Sequence, residues 1–323
     1  SLAQNNHVEK VIFPYPVFSI SEQLQWPRRI RQDHLDLFHA PHYVVPLAAS
    51  VPMVVTIHDL VGFRFPEHMY GTIARFYYQS MTRLAVRKAD KSITDSDFTR
   101  SEMVNLLHIS PSKIQTVYLG VDQTKFLFHP QNDEKFLRQY KFPGRTMLYL
   151  GTKKPWKNLP MLIHVLKELI QAQEDVTLIL SGKDARRQQD LSQLIQNLGL
   201  QAHIQEVGYI EETAVSAFYR AATLFTFPSY YEGFGLPVLE AMASGVPVIA
   251  SHSASIPEIV GDAGMLLDPH KVPEWVHHTR ALLNDEPQRQ HLIQQGIRRS
   301  QMFTWHKCAT ETLAVYESAA NGS

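Results

Sequence analysis

The stretch Ser229-Tyr230-Tyr231-Glu232-Gly233-Phe234-Gly235-Leu236-Pro237-Val238-Leu239-Glu240-Ala241-Met242-Ala243-Ser244-Gly245-Val246-Pro247-Val248-Ile249 decides how this chain reads. It leaves the apolar run Leu224-Phe225-Thr226-Phe227 and runs into a second, Val246 to Ile249. Both are short and apolar on both faces, as parallel strands covered by helices on either side must be. Between them lie two glycines and then Pro237, which suits the first turn of a helix because its missing N–H costs nothing there. Leu236, Leu239, Ala243 and Val246 are spaced to face a sheet. The pattern is strand, glycine loop, helix, strand.

The same alternation extends outward in both directions. Upstream runs are Val54–Ile57, Lys91–Thr94, Thr116–Leu119, Met147–Leu150, Val176–Leu180 and Ile204–Val207, and Met265–Leu267 follows downstream. The segments between them carry helical periodicity, as in Leu159, Leu162, Ile163, Leu166, Leu169 and Ile170. Alternating β and α elements predict doubly wound parallel sheets. A length of 323 residues suggests two domains. The alternation pauses between Leu119 and Gly144, where Gly120-Val121-Asp122 leads into a polar stretch with Pro130, Asn132 and Pro143, and the domain junction is placed there. Residues 1–120 then form a first Rossmann-like domain, 121–304 a second, and 305–323 a terminal helix. That helix carries the stripe Trp305, Cys308, Ala309, Thr312, Leu313 and Tyr316, and no strand follows it, so it is expected to pack back on the first domain.

The opening residues read differently. Val11-Ile12-Phe13 is expected to be a strand, and Ser19 to Arg31 a helix capped by Ser19 or Ser21. No glycine precedes Gly62. A Rossmann-like domain usually opens with a strand and a glycine-bearing turn at its cleft, so the first domain is expected to lack its first strand, turn and helix, which a longer chain or a partner would supply.

Composition excludes several classes. Apolar residues make up 44% and charged residues 19%, as in an ordinary globular protein. Thirty-one basic against thirty-one acidic residues leave no global field to attract nucleic acid or anionic lipid. The single cysteine, Cys308, cannot form an internal disulfide and fits a reducing cytoplasm. The longest nearly charge-free apolar stretch, Tyr43 to Ile57, is too short to cross a bilayer and contains Pro46 and Pro52.

The chemistry sits in the opening stretch. Gly233 and Gly235 allow the backbone close to a ligand, and the unpaired N–H groups of the first helical turn can receive phosphate oxygens. Glu240, one turn into the helix, can accept from a vicinal diol such as a ribose, while Glu232 reaches another part of the same ligand. Two glutamates eight apart would, in isolation, read as a capped helix with a solvated carboxylate. The whole string is far more specific, and it closely resembles the Glu-x7-Glu signature of glycosyltransferase family 4, retaining enzymes of the GT-B fold.

The resemblance runs from about Asp36 to Tyr316. Asp36-Leu-Phe-His39-Ala-Pro-His42 and Val54-Val-Thr-Ile-His58-Asp59 look like the family's first-domain strands at the cleft, and Ala89-Asp90 with Ser96 like a helix end and the next cleft turn. Gly120-Val121-Asp122 is similar to its interdomain motif, Tyr149-Leu-Gly151-Thr152-Lys-Lys-Pro155-Trp156-Lys157-Asn158 to its phosphate loop, Val207 to Ile210 to the base position, and Phe303-Thr304-Trp305 to the start of its crossing helix. The implied fold is α/β GT-B, two Rossmann-like domains facing each other across a cleft. The implied activity is transfer of a hexose from a nucleoside-diphosphate sugar, GDP-mannose or a UDP-hexose, to a glycan or lipid-linked acceptor, as in bacterial polysaccharide assembly, at the inner face of the membrane.

The resemblance also implies residue roles. Glu240 holds the ribose; Glu232 contacts the transferred sugar; Gly233, Phe234, Gly235 and Leu236 contact sugar and phosphates. Lys157 neutralises the diphosphate, with Lys153 or Lys154 as substitutes. Thr152 stands where many members have an arginine, and lysine lacks its fork geometry. Tyr209 and Ile210 flank the base, Ser96 lines the cleft, and His58 faces the donor sugar. No enzyme nucleophile, cofactor or metal is implied.

Other patterns read as bland. Asp95-Ser96-Asp97 is a literal Asp-x-Asp, but it looks like a helix cap with Asp95 or Ser96 at the N-cap. His39 and His42 have no third ligand cluster, and adjacent His277 and His278 splay on a helix. Arg83, Arg87 and Lys88 read first as a solvated face, and second as a basic face for a lipid-linked acceptor. Two other functions stay open: a nucleotide-sugar-binding protein without transfer activity, and a GT-B-fold nucleotide-sugar epimerase.

Overall fold

The structure is a computed structural model describing residues 8–14, 19–69, 71–126, 133, 140, 142, 144–182 and 188–321. Two parallel sheets organise it. The first holds β1 (Phe38–Ala40), β2 (Met53–Ile57), β3 (Lys91–Thr94) and β4 (Ile114–Thr116) in the order β1-β2-β3-β4. The second holds β5 (Arg145–Leu150), β6 (Val176–Ser181), β7 (Ile204–Gly208), β8 (Leu224–Phe227), β9 (Val248–Ser251) and β10 (Met265–Leu267) in the order β10-β9-β8-β5-β6-β7. The order reverses at β5, where Leu148 lies between Ile179 of β6 and Phe225 of β8. That reversal opens a crevice at the carboxyl ends of the strands, the place where such sheets take ligands. Met147, Leu148 and Tyr149 are fully buried, because helices cover both faces of β5.

Three boundaries differ from the sequence reading. Val11-Ile12-Phe13 forms no strand; Phe13 instead stacks on Trp26 of the helix Ile20–Gln32 at 4.1 Å. The fourth strand is Ile114–Thr116, earlier than Thr116–Leu119, because Tyr118 to Val121 already belong to the passage toward the second sheet. The ninth is Val248–Ser251, because Gly245 at φ +72° ends the helix Leu236–Ala243 and carries the chain over Val246 and Pro247 first. The expected capping holds: Ser19 Oγ accepts from the Glu22 N–H at 3.1 Å.

The chain passes between the sheets twice, and the two passages touch. On the way out, the Val121 N–H donates to the Phe303 carbonyl at 3.1 Å and Gln123 Nε2 to the Ser300 carbonyl at 2.9 Å. Gly120 lies so close to the return that a Cβ there would stand 2.2 Å from the Trp305 nitrogen. The polar stretch containing Pro130, Asn132 and Pro143 lies outside the described residues. After the return, the helix Trp305–Asn321 packs on the first sheet, as its orphan stripe suggested, with Val315 and Ala319 buried against Val54, Ile93 and Val117. The stripe itself is rotated: Cys308 and Tyr316 face the sheet, but Trp305, Ala309 and Leu313 are exposed. Tyr316 is anchored through its hydroxyl, 2.6 Å from His39 Nδ1, while His39 Nε2 meets Thr56 Oγ1 at 2.8 Å.

Gly120→Val is expected to force the two passages apart, at a cost of about 1–3 kcal/mol or more. Denaturant unfolding reads it directly; an unchanged midpoint would mean that the crossing yields without strain.

Candidate functional site

The signature loop is built by short polar contacts from the strands and turns around it. Asn158, buried and at φ +56°, sends its side-chain amide to the carbonyls of Pro228 at 3.2 Å and Pro269 at 2.9 Å. Ser255 Oγ donates toward the carbonyls of Phe234 at 2.8 Å and Glu232 at 3.0 Å. Gly235, at φ +114°, caps the helix Leu236–Ala243, with Pro237 in its first turn as expected. Phe234 is buried and meets Phe303 and Tyr118 edge-on or tilted at 6.1 and 6.2 Å, which ties the loop to the double passage.

Glu232 and Lys157 are brought together. Lys157 Nζ stands 2.5 and 2.7 Å from the two Glu232 oxygens, and Ser229 Oγ donates to Oε1 at 2.5 Å. Both side chains are nearly nine-tenths covered, so the pair is charge-assisted and weakly screened. Glu240 projects from the helix interior, where Tyr219 Oη donates to its Oε2 at 2.9 Å. Burial raises the Glu240 pKa above the ordinary carboxylate range, with the Tyr219 hydrogen bond opposing it. Tyr219 is completely buried, which pushes its phenol far up and keeps it a donor.

Other expected binding residues stand differently. Lys153 is buried with its ammonium against Glu206 of β7. Lys154 lies 5.9 Å over the Trp156 ring. Thr152 is exposed, and its carbonyl accepts from Tyr149 Oη at 2.8 Å. Tyr209 is 65% exposed and Ile210 buried, so only the first of these two presents its side chain to solvent. Ser96 caps the helix Asp97–Leu107, accepting from the Thr99 N–H at 3.1 Å, and its own hydroxyl goes to the Gly233 carbonyl at 2.6 Å. It is a bridge between domains rather than a vacant donor.

His58 follows β2 and faces this loop. Its Nδ1 is 2.7 Å from Asp95 Oδ2 and its Nε2 is 3.0 Å from the Pro41 carbonyl. Both ring nitrogens therefore meet acceptors, and only the doubly protonated ring can donate to both. The Asp95 hydrogen bond accordingly raises the His58 pKa, against the lowering effect of burial. Asp95 is buried, which raises its own pKa, and its Oδ1 has no hydrogen-bond partner among the described residues. A Cβ on Gly233 would stand 2.0 Å from the His58 carbonyl oxygen, so glycine alone permits the loop to seat there.

Sequence reasoning missed the groups that hold the two walls together. Glu258 accepts from the Asp97 and Phe98 N–H groups at 2.8 and 2.7 Å, capping a first-domain helix from the second domain, and Tyr118 Oη adds a contact at 3.1 Å. Tyr231 inserts its hydroxyl between the Leu60 N–H at 2.8 Å and buried Glu102 at 2.5 Å, while Arg64 closes on the other Glu102 oxygen. Asp95 was visible only as part of the Asp-x-Asp string; its partner, 37 positions away, is set by the parallel pairing of β2 with β3. Among the described residues, no group of three or more His, Cys, Asp or Glu side chains is arranged to hold a metal ion.

Two facing α/β domains with this loop between them define a GT-B-type glycosyltransferase architecture, and the comparisons agree. The model for glycosyl transferases group 1 matches residues 130–299 and that for glycosyltransferase family 4 matches residues 4–125. O-antigen chain mannosyltransferase B of Escherichia coli is 32% identical over 294 residues, covering 90% of this chain and 76% of its own length. The MMP alpha-(1->4)-mannosyltransferase of Mycolicibacterium hassiacum is 31% identical, covering 85% and 66%. Among solved structures, Anabaena HepE in complex with UDP and glucose superposes with a TM-score of 0.78 at 23% identity over 94% of this chain and 84% of that one. WaaG, a glycosyltransferase involved in lipopolysaccharide biosynthesis, gives 0.73 at 16%, over 93% and 84%. The chain belongs to glycosyltransferase family 4.

The raised His58 pKa has a definite sign in stability. Its contribution is complete below the ordinary histidine value of about 6.5 and is lost as pH rises through the folded value. Asp95→Asn is expected to lower the His58 titration midpoint, followed by the ring proton resonances. A midpoint that stays put would remove Asp95 as the cause.

Proposed function

We propose that this chain transfers a hexose from a nucleoside-diphosphate sugar to a glycan or lipid-linked acceptor, with retention at the anomeric carbon and without a metal ion. The observation that carries the reading is the Lys157–Glu232 pair, set beside the start of the helix Leu236–Ala243, with Glu240 one turn further in. Mannose is the first sugar to test, since two relatives are named as mannosyltransferases. GDP-mannose and UDP-hexoses are the candidate donors, and the UDP in the HepE complex supports a nucleotide-linked sugar as the partner.

Charge development gives each residue its task. Breaking the bond between the anomeric carbon and the phosphate oxygen leaves negative charge on the diphosphate and positive character on the sugar. Lys157 and the amides of the Gly233–Leu236 loop stabilise the leaving group, preorganised where that charge appears. Glu232 releases part of its hold on Lys157 and contacts the sugar. Glu240 accepts from the ribose hydroxyls, with Tyr219 fixing its orientation. His58, whose pKa the Asp95 hydrogen bond raises, stands on the opposite wall. The acceptor hydroxyl attacks from the face the phosphate leaves, the departing phosphate oxygen takes its proton, and configuration is retained with no covalent enzyme intermediate.

Donor binding is read by thermal shift with UDP-, GDP- and ADP-sugars. Glu240→Ala is expected to abolish the shift seen with the best donor; a surviving shift would overturn the ribose assignment. Lys157→Ala is expected to lower kcat/KM about 10²–10³-fold. Since only ionised Glu240 accepts from both hydroxyls, affinity should fall as pH drops through its raised pKa, and Tyr219→Phe should move that fall to higher pH. Turnover is expected to survive EDTA, and complete loss restored by manganese would defeat the metal-free scheme. Binding without turnover on any donor would leave a nucleotide-sugar-binding protein instead.

A further inference from the structure

Three histidines, His39, His42 and His58, gather where β1 and β2 end, and two of them are already engaged. His39 meets Tyr316 and Thr56, and His58 meets Asp95 and the Pro41 carbonyl. His42 is open to solvent, and its ring makes no hydrogen bond with any described residue. The ring is held in place all the same. It packs on Tyr43 at 4.1 Å, Tyr43 meets Tyr78 of the helix Thr72–Lys88 edge-on at 4.8 Å, and His58 Nε2 pins the preceding residue at the Pro41 carbonyl.

His42 lines a cavity of about 50 Å³ together with Tyr43, His58, Asp59, Tyr78 and Thr82. That volume suits one polar group of a ligand rather than a whole sugar ring. The cavity abuts the signature loop, since a Cβ on Gly233 would stand 2.0 Å from the His58 carbonyl oxygen and 2.9 Å from the Asp59 Cβ. Among the described residues no lysine or arginine lines it, both His58 nitrogens are taken, and Asp59 brings a carboxylate. The Tyr78 and Thr82 hydroxyls are spent on the Asp59 carbonyl at 3.3 Å and the Tyr78 carbonyl at 2.7 Å. An anionic group would find no free cation here, whereas a neutral hydroxyl finds an acceptor in the unengaged imidazole. That imidazole accepts only while it is neutral. Partial burial lowers the His42 pKa, and positive charge on His58 lowers it further, against the opposing effect of Asp59.

We infer that His42 binds the acceptor: its free ring nitrogen receives a hydroxyl of a neutral hexoside, other than the hydroxyl that attacks the donor. The attacking hydroxyl keeps its proton for the departing phosphate oxygen, so His42 orients the acceptor and takes no part in the proton transfer. The inference rests on the transfer reading above and narrows it to acceptors that present an uncharged sugar at this recess.

The test holds the donor with the largest thermal shift, among GDP-mannose and the UDP-hexoses, at saturation. Methyl α-mannopyranoside, methyl α-glucopyranoside and methyl α-galactopyranoside serve as acceptors. His42→Ala is expected to raise KM for the accepted glycoside about tenfold, with the loss in KM rather than kcat, and to keep the donor-induced thermal shift. One monodeoxy form of that glycoside should lose about tenfold with the unaltered chain and nothing further with His42→Ala, because both changes remove the same hydrogen bond. His42→Gln keeps an acceptor atom that does not titrate, so it should restore most of the loss. It should also abolish the rise in acceptor KM that the unaltered chain shows as pH falls below about 6.5 and His42 gains a proton. Saturating donor keeps the titration of Glu240 out of that profile. An unchanged acceptor KM, a loss confined to kcat, or donor hydrolysis without transfer to any of the glycosides overturns this inference and leaves the donor assignment standing. A chain that turns over none of the donors defeats the transfer reading, and this inference falls with it.

Discussion

The seat of Gly233 on the His58 carbonyl is the constraint on which the rest of the site depends. With a hypothetical Cβ only 2.0 Å from that oxygen, the two domains can approach at this point only over a residue without a side chain. The approach then lets Ser96 reach the Gly233 carbonyl, Glu258 reach the start of the helix Asp97–Leu107, and Tyr231 reach Leu60 and Glu102. Each of these contacts takes a polar group from one domain to satisfy a backbone or buried group of the other. Such groups are costly to bury unpaired, so the facing surfaces are specific for each other in orientation as well as shape.

The second domain shows the same economy with charge. Lys157 is held by Glu232, and Lys153 by Glu206. Two lysines that look equivalent in sequence, four positions apart, are separated by the fold into one beside the signature loop and one committed to β7. Glu240 is likewise held by the buried hydroxyl of Tyr219, and His58 by buried Asp95 together with the Pro41 carbonyl. The orientation of these side chains is thus set from a second layer of side chains.

Much of this was legible in the sequence, for a physical reason. Parallel strands covered on both faces read as apolar runs, so nine of the ten strands left a recognisable run and β1 only a motif, and the glycine loop before Pro237 marked the helix start. Where the reading slipped, local pattern was outweighed by tertiary context. Val11-Ile12-Phe13 has strand composition, but Phe13 finds its partner in Trp26. The stripe on the terminal helix was rotated because Trp305 and Leu313 are apolar yet exposed, while the small Ala319 makes the close contact. No spacing rule could reveal that Ser96 would meet the Gly233 carbonyl or Lys153 the Glu206 carboxylate. The partners of His58 and Glu240 escaped for the same reason, since each is fixed by sheet register and helix packing rather than by distance along the chain.

The terminal helix has a consequence for how the molecule is made. The face of the first sheet formed by Val54, Ile93 and Val117 is covered by Val315 and Ala319, which leave the ribosome only after the whole second sheet. The domain synthesised first is therefore the one completed last. Until residues 305–321 arrive, an apolar sheet face stays uncovered on a nascent chain, and nascent domains with such surfaces are prone to aggregate or to be held by chaperones. The crossing helix thus makes folding of the first domain contingent on completed translation of the second.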